Sequence, residues 1–225
     1  AEAELLAQCG VQDILIAMQP VGVNIERFFE LVIKYPNSSI STIVDDEEIR
    51  DKINLEHPNL KRAAGDVTNV ADVCLATEGS EAVIITLGSG RSRSGRVRSE
   101  GTQQIIDAMQ RYGVKRLVCQ TTLGAGDSWS NLNFFWKRIM FGVLLRPVFE
   151  DHERQEQLVK ASDLDWTIVR PSAFTNGAPK GLLKIDISPE QRGLTLKISR
   201  AEVAEFLITS LRERSFLYQA VGISY

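Results

Sequence analysis

The chain has 225 residues, of which 44% are hydrophobic and 24% are charged, and its net charge is −3. This balance is typical of one folded domain with a substantial core and excludes a disordered chain. The charge gives no reason to expect nucleic acid as a partner. No apolar run is long enough to span a bilayer, so no membrane partner is expected. We therefore expect a single domain, 1–225, that binds small molecules; the composition does not indicate the oligomeric state.

The cysteines and the first residues bear on the compartment. Cys9, Cys74 and Cys119 are scattered, without metal-ligand spacing, so we expect reduced thiols and no metal site. The acidic residues 1–4 resemble neither a secretory signal nor a transit peptide. We expect a cytoplasmic location, or an organelle stroma or matrix if a targeting segment has been removed.

In the first half of the chain, short buried strands alternate with helices. Strands are predicted at 13–17, 39–44 and 81–87, and helices at 24–34, 46–53 and 70–76. The run Ala82–Ile85 is continuously hydrophobic, which is typical of a strand buried on both faces of a parallel sheet.

The alternation continues in the second half. Helices are predicted at 99–112, in a long segment ending near 161, and after a capping box, Ser199 to Glu202; strands are predicted at 115–120, 165–170, 194–198 and 216–223. This order predicts an α/β fold, a Rossmann-like doubly wound parallel sheet with strands 14–16, 82–87 and 117–119 near its centre. Residues 12–170 would form the core sheet and 171–225 a small C-terminal lobe.

The turn between the first strand and the first helix lacks most of the expected glycines. In a dinucleotide-binding fold this turn carries three glycines, which allow a tight turn and a close approach to the pyrophosphate. Here residues 17–24 contain only Gly22, and Pro20 and Val21 remove conformational freedom. We favour weakened or lost nucleotide affinity; the alternative is a rearranged loop that binds in a different shape.

Two further features have both a ligand-binding and a structural interpretation. Asp45 ends the second strand, where an acidic side chain can hold the adenosine ribose and favour NAD over NADP; a helix N-cap is the slightly favoured alternative. The loop 88–98 contains Arg91, Arg93, Arg96 and Arg98, which could grip phosphates. A flexible, solvated loop is the favoured interpretation of this segment.

Six segments in order carry a family resemblance. They are Gly65-Asp66-Val67, 82–89, Ser99-Glu100-Gly101, 113–118, 121–128 and 164–171. Together they resemble the atypical short-chain dehydrogenase/reductases, and within them the NmrA-like proteins and the flavin reductase/biliverdin-IXβ reductase group. The resemblance implies NAD(P)-binding ancestry and, as in active relatives, hydride transfer to a small conjugated acceptor that is flavin-like, tetrapyrrole-like or quinone-like.

The resemblance and the predicted strand ends together indicate a site. Ligands of open α/β sheets bind outside the carboxyl ends of the strands. The candidate cofactor-binding residues are Gln19, Pro20, Gly22, Asp45, Asp66, Val67, Leu87, Gly88, Ser89, Thr121, Pro171 and Ser172. Thr122 is the candidate catalytic residue, because Thr121 and Thr122 match the family's Ser/Thr pair near the nicotinamide. We expect Gly88, Thr122 and Pro171 to line one pocket.

The usual Tyr-x-x-x-Lys of short-chain dehydrogenases is missing, since Val148 and His152 occupy those positions. His152 could be an acid, but a solvated surface histidine is the favoured interpretation. The apolar segment 133–145 is interpreted by default as core, with the roof of a pocket or an interface as alternatives. Two functions stay open: an NAD(P)H-dependent reductase, or a non-catalytic binding or regulatory protein that has lost tight dinucleotide binding.

Overall fold

The structure is a computed structural model that describes residues 13–17, 39–44, 60–88, 95–214 and 216–225. Side chains are described from residue 65 onward within these ranges. Several predicted features lie outside the described residues, namely the helices 24–34 and 46–53, the glycine-poor turn with Gln19, Pro20 and Gly22, and Cys9, Asp45, Ser89, Arg91 and Arg93.

The described elements follow the predicted alternation. Strands β1 to β10 are Asp13–Ala17, Ser39–Val44, Leu60–Ala64, Ala82–Ile85, Arg116–Gln120, Asp165–Pro171, Ala173–Thr175, Lys184–Ile185, Lys197–Ser199 and Ala220–Ser224. Helices α1 to α4 are Val70–Thr77, Val97–Tyr112, Arg146–Ala161 and Arg200–Glu213. A 3-10 segment, Gly126–Asn131, and a π-helix, Trp136–Leu144, lie between β5 and α3.

Eight of these strands form one sheet in the order β3-β2-β1-β4-β5-β6-β10-β8. Every pairing from β3 to β10 is parallel, and the strand order reverses between β1 and β4. The α/β prediction and the central position of β1, β4 and β5 are therefore confirmed. The sheet is not purely parallel, however, because β8 joins the edge antiparallel to β10, and β7 pairs with β9 in a separate small sheet. The division at residue 171 stays a prediction.

Alternate residues of each strand face different helical layers, as the two-residue period of a strand requires. Leu117 and Cys119 pack into a core with side chains of α1, α2 and α3. On the other face, the Arg116 guanidinium donates to the carbonyl oxygens of Ser210 and Leu211 on α4. The sheet is thus covered on both faces, as its continuous apolar strands predicted.

Two helix starts depend on residues distant in sequence. Helix α2 begins at Val97, two residues before the predicted start, and Arg96 provides no side-chain cap. The carboxylate of Asp151 on α3 caps it instead, accepting from the amides of Arg98 (2.9 Å) and Ser99 (3.2 Å). At α4 the Ser199 hydroxyl accepts from the Glu202 amide, but the Ser199 amide donates to the Tyr225 hydroxyl. Half of the predicted capping box is therefore replaced by Tyr225.

Candidate functional site

A cavity of about 280 Å³ lies at the carboxyl ends of β4, β5 and β6, which is the edge of the sheet where ligands of this fold bind. It is lined by Thr86, Leu87, Gly88, Arg98, Gln120, Thr121, Thr122, Leu123, Leu132, Trp136, Phe141, Leu145, Val148, His152, Pro171, Ser172, Ala173, Phe174 and Leu196. The expectation that Gly88, Thr122 and Pro171 line one pocket therefore agrees with the geometry.

The floor of the cavity is formed by the ends of β5 and β6. The amides of Thr121 and Leu123 donate to the carbonyl oxygens of Val169 and Pro171, each at 2.8 Å, and fix the two strand ends side by side. The Thr122 hydroxyl is half-buried, and among the described residues it makes only a long contact of 3.4 Å with the Leu123 carbonyl oxygen. It is therefore available for a stronger hydrogen bond to a ligand.

The π-helix and the residues around it form the roof. Trp136 and Phe141 line the cavity, with ring centroids 5.4 Å apart, and Phe141 stacks on Phe149 of α3 at 4.7 Å. Only Phe141 of the π-helix is buried, whereas Val143 and Leu144 are exposed. The default interpretation of segment 133–145 as core is therefore wrong, and it covers a pocket instead.

One wall is polar and comes from the N-terminal halves of α2 and α3. His152 is 8% exposed and lines the cavity, so its interpretation as a solvated surface residue is wrong. Burial, with the nearby charge of Arg98, lowers the pKa of His152 to about 3, although Gln155 and the acidic neighbours oppose the shift. Its Nδ1 lies 3.3 Å from Gln155 Oε1. His152 is neutral near pH 7 and therefore cannot supply a proton as an imidazolium.

Arg98 completes this wall. Arg98 is 8% exposed and lines the cavity next to α3. The prediction of a solvated loop 88–98 is therefore wrong for Arg98, whereas Arg96 is exposed. Among the described residues, the Nε and Nη1 atoms of Arg98 are buried without a hydrogen-bond partner. Burial lowers the pKa of Arg98 and the charge of Asp151 raises it; the guanidinium stays charged in neutral solution.

A buried ion pair supports the floor from below. The Arg170 guanidinium donates to both carboxylate oxygens of Glu156, at 2.8 and 2.6 Å, and to Asp127 at 2.5 Å. Glu156 Oε1 also accepts from the Thr121 hydroxyl at 2.9 Å. Burial alone would raise the pKa of Glu156, but Arg170 and Lys160 hold it below its usual value. The Thr121 hydroxyl is thus oriented by an ionised carboxylate, and its hydrogen is used in that bond.

The structure brings some of the predicted site residues together and separates others. Besides Thr122, side chains are described for seven of the predicted residues. Leu87, Gly88, Thr121, Pro171 and Ser172 line the cavity, whereas Asp66 and Val67 follow β3 outside its lining. Asp66 accepts from the amide and hydroxyl of Thr68, which lowers its pKa. The ligand-binding roles of all these residues, and of Thr122, stay predictions.

Gly101 explains how the start of α2 comes close to the ends of β3 and β4. A Cβ at this position would lie 2.8 Å from both Val67 methyl carbons and 3.0 Å from Leu87 Cδ1. Only glycine therefore lets α2 pack against these two predicted site residues without displacement.

The cavity fits the nicotinamide end of a dinucleotide. Ser172 Oγ is buried there without a hydrogen-bond partner in the described part of the chain, and Thr122 has spare hydrogen-bonding capacity. The unsatisfied Ser172 hydroxyl and the weakly bonded Thr122 hydroxyl, with Gly88 in the same lining, suit a flat ring that carries an amide. Gln19, Pro20, Gly22, Asp45 and Ser89, which would hold the rest of such a cofactor, lie outside the described residues.

Two functional candidates were missed because each was assigned to a solvated surface. Val148, His152, Gln155, Glu156 and Val159 follow one another at helical spacing along one face of α3, and all but Val148 are buried. The apolar ends of that stripe, with spacing i, i+4, i+8 and i+11, could have placed His152 and Glu156 on the buried side. Arg98 likewise precedes Thr102, Ile105 and Met109 on the buried face of α2.

The described residues also provide evidence on metal binding and on membrane-spanning helices. Within that part, no group of three or more histidine, cysteine, aspartate or glutamate side chains could hold a metal ion. No helix described there is sufficiently long and apolar to cross a bilayer. Cys74 and Cys119 are free thiols, and burial raises the pKa of Cys119.

The sequence identifies the family. A family model described as NAD(P)H-binding matches residues 37–214, and the chain belongs to this family. Its fold is shared with solved short-chain dehydrogenase/reductases.

Individual relatives are distant. The Bacillus subtilis protein YhfK, named an uncharacterised sugar epimerase, is 27% identical over 195 residues, which are 84% of each chain. ChuY from Escherichia coli O157:H7, titled an anaerobillin reductase, superposes with a TM-score of 0.75 at 19% identity, covering 95% of this chain and 96% of ChuY. A Veillonella parvula short-chain dehydrogenase/reductase in complex with NADP has a TM-score of 0.74 at 16% identity, covering 95% and 94%. At these identities the two structures show a shared fold.

Proposed function

We propose that the protein is an NAD(P)H-dependent reductase of the atypical short-chain type that acts on a small conjugated acceptor. The observation that carries the proposal is the cavity at the ends of β4, β5 and β6, which combines the unsatisfied Ser172 hydroxyl and the weakly bonded Thr122 hydroxyl with aromatic side chains. A planar, largely apolar acceptor would stack against Trp136 and Phe141 above the floor. ChuY, a protein of the same fold, is titled a reductase, which supports the same reaction class.

The cofactor would enter along the sheet edge. A bound NAD(P)H would supply the hydride, which the acceptor takes up together with a proton. Ser172 and Thr122 would hold the carboxamide and the acceptor in contact, and the aromatic roof would exclude water from them. NAD is favoured over NADP by Asp45, as an acidic side chain at the second strand end holds ribose hydroxyls.

Among the described side chains that line the cavity, none is a strong acid that could supply the proton. Val148 replaces the tyrosine of typical short-chain dehydrogenases, and neutral His152 has no proton to give without leaving Gln155. The proton would therefore reach the acceptor from water. This restricts the acceptor to molecules whose reduced anion is stabilised by conjugation, such as flavins, quinones or linear tetrapyrroles.

The test has two stages. Binding of NADH and of NADPH is measured by titration of the purified protein, and NAD(P)H oxidation is followed with FMN, menadione and biliverdin as one acceptor from each class. In Thr122→Val, which removes the hydroxyl but keeps the shape, we expect kcat/KM to fall at least about tenfold, or ~1.4 kcal/mol. Thr209→Val on α4, away from the cavity, should match the unaltered protein.

The glycine-poor turn supports the second candidate function, a binding or regulatory protein without catalysis. That function predicts no measurable oxidation with any acceptor and at most weak dinucleotide binding. Equal activity in Thr122→Val and the unaltered protein would instead leave a reductase but refute the assignment of its site.

A further inference from the structure

We propose that Arg98 is the anchor for a carboxylate carried by the acceptor, so that the cavity takes planar conjugated acids in preference to neutral analogues. The inference rests on the proposed function in one respect: the cavity must receive the acceptor. It goes beyond that function by naming the charged group that the acceptor carries and the side chain that binds it.

The first observation is the unsatisfied guanidinium. Arg98 is 8% exposed, and its Nε and Nη1 atoms have no hydrogen-bond partner within the described residues. A buried charged group without partners is unfavourable for folding unless something outside the protein satisfies it. The guanidinium presents parallel N–H donors, which match the two oxygens of a carboxylate.

The second observation is that the nearest carboxylate is already in use. Asp151 is fully buried and accepts from the amides of Arg98 and Ser99 and from the Ser99 hydroxyl at 2.5 Å. Its charge acts on Arg98, but no hydrogen bond joins it to the guanidinium. Asp151 therefore reduces the cost of burying Arg98 without occupying its donors.

The third observation is the make-up of the cavity around Arg98. Among the described residues that line it, Arg98 is the one with an ionised side chain, since no carboxylate lines the cavity and His152 is neutral. The apolar part of the lining includes Trp136, Phe141 and Leu145. A ligand that satisfies both walls is flat and apolar with one anionic end.

A phosphate of the dinucleotide is the other source of such an anion. In this fold the pyrophosphate lies at the turn that follows the first strand, whereas Arg98 belongs to α2 and lines the cavity together with His152 of α3. The position therefore favours the acceptor as the source, and the experiment separates the two.

The experiment uses a matched pair of probes and needs no dinucleotide. Anthraquinone-2-carboxylate and its methyl ester are titrated separately into the full chain, and quenching of tryptophan fluorescence reports binding because Trp136 lines the cavity. We expect the unaltered protein to bind the acid at least about tenfold more tightly than the ester, as a charge-assisted, two-point contact requires.

Three variants identify the residue. Arg98→Met should bring the affinity for the acid down to that for the ester, and Arg98→Lys should keep only part of the preference because it lacks the planar fork. Arg96→Met makes the same change of charge two residues away at an exposed position and should keep the preference. Thermal unfolding of each variant shows that it is folded before the affinities are compared.

Several results would overturn the inference. The first is equal binding of acid and ester, the second is no binding of the acid, and the third is an Arg98→Met protein that keeps the preference for the acid. If NADH and NADPH are also titrated into Arg98→Met and bind more weakly while the preference for the acid is unchanged, Arg98 belongs to the cofactor phosphates. Acid preference without any NAD(P)H oxidation would leave the Arg98 site and refute the reductase. Oxidation with equal KM for acid and ester would do the reverse.

Discussion

Single residues in this cavity show that position on a helix matters more than polarity. His152 and Arg98 are polar residues next to charged neighbours, and polarity alone favoured a solvated surface for both. Each lies instead on the buried stripe of its helix, with Val159 and Met109 further along the same face. The sequence contains that spacing, whereas the unsatisfied guanidinium follows from packing between α2 and α3, which local pattern does not encode.

The buried histidine predicts a pH dependence of stability. His152 has a pKa of about 3 in the folded protein and about 6.5 in the unfolded chain, so the unfolded chain binds more protons between these values. The free energy of unfolding should therefore decrease as pH falls from about 6.5, by up to ~1.4 kcal/mol per pH unit. Urea unfolding at pH 7, 6, 5.5 and 5 measures this slope.

His152→Gln provides the comparison for this experiment. Glu156 and Asp127 also have lowered pKa values, but their contribution is lost only near and below pH 4.5. The slope between pH 6.5 and 5 should therefore become markedly smaller in His152→Gln. The same slope in both proteins would show that His152 is protonated in the folded state.

Whole elements were predicted better than their ends. The helices 70–76 and 99–112 and the strands 115–120 and 165–170 each lie within a few residues of the observed bounds, because their apolar periodicity is local. The ends depend on distant residues, such as Asp151 for α2 and Tyr225 for α4. The π-helix was not predicted from the sequence pattern. A Cβ at Gly142 would lie 2.9 Å from the Lys137 carbonyl oxygen, so the glycine leaves room for the wider turn.

The cap of α2 can be tested as a unit. Asp151→Ala removes the acceptor for two backbone amides and the negative charge at the helix N-terminus, so we expect a loss of at least about 2 kcal/mol in the free energy of unfolding. The neighbouring Glu150→Ala removes only an exposed pair with Arg146 and should cost less than about 0.5 kcal/mol. Comparable losses in the two variants, measured by urea denaturation, would contradict the cap.

At the scale of the molecule, the topology follows from the sequence and the cofactor site follows only in part. Alternating buried strands and helices gave the parallel order from β3 to β10, and the same argument placed Gly88, Thr122 and Pro171 at one edge. The antiparallel β8 was not predicted, because it has two residues and both are exposed. Such a short strand depends on its pairing with β10, and two residues are too few to show the alternating hydrophobic pattern of a strand.

The turn after β1 provides the last prediction, which concerns how tightly the whole fold holds a dinucleotide. Glycines at Met18, Val21 and Asn24 would restore the freedom for positive φ and the close approach to the pyrophosphate that the present residues deny. The triple variant should bind NADH or NADPH more tightly in a calorimetric titration, and each tenfold gain corresponds to roughly 1.4 kcal/mol. Alanine at the same three positions shortens the side chains without giving that freedom, so it should gain much less. If the alanine and glycine variants gain equally, bulk and not backbone freedom limits binding. If neither variant gains, the natural turn binds in a shape of its own, and the missing glycines do not weaken dinucleotide binding.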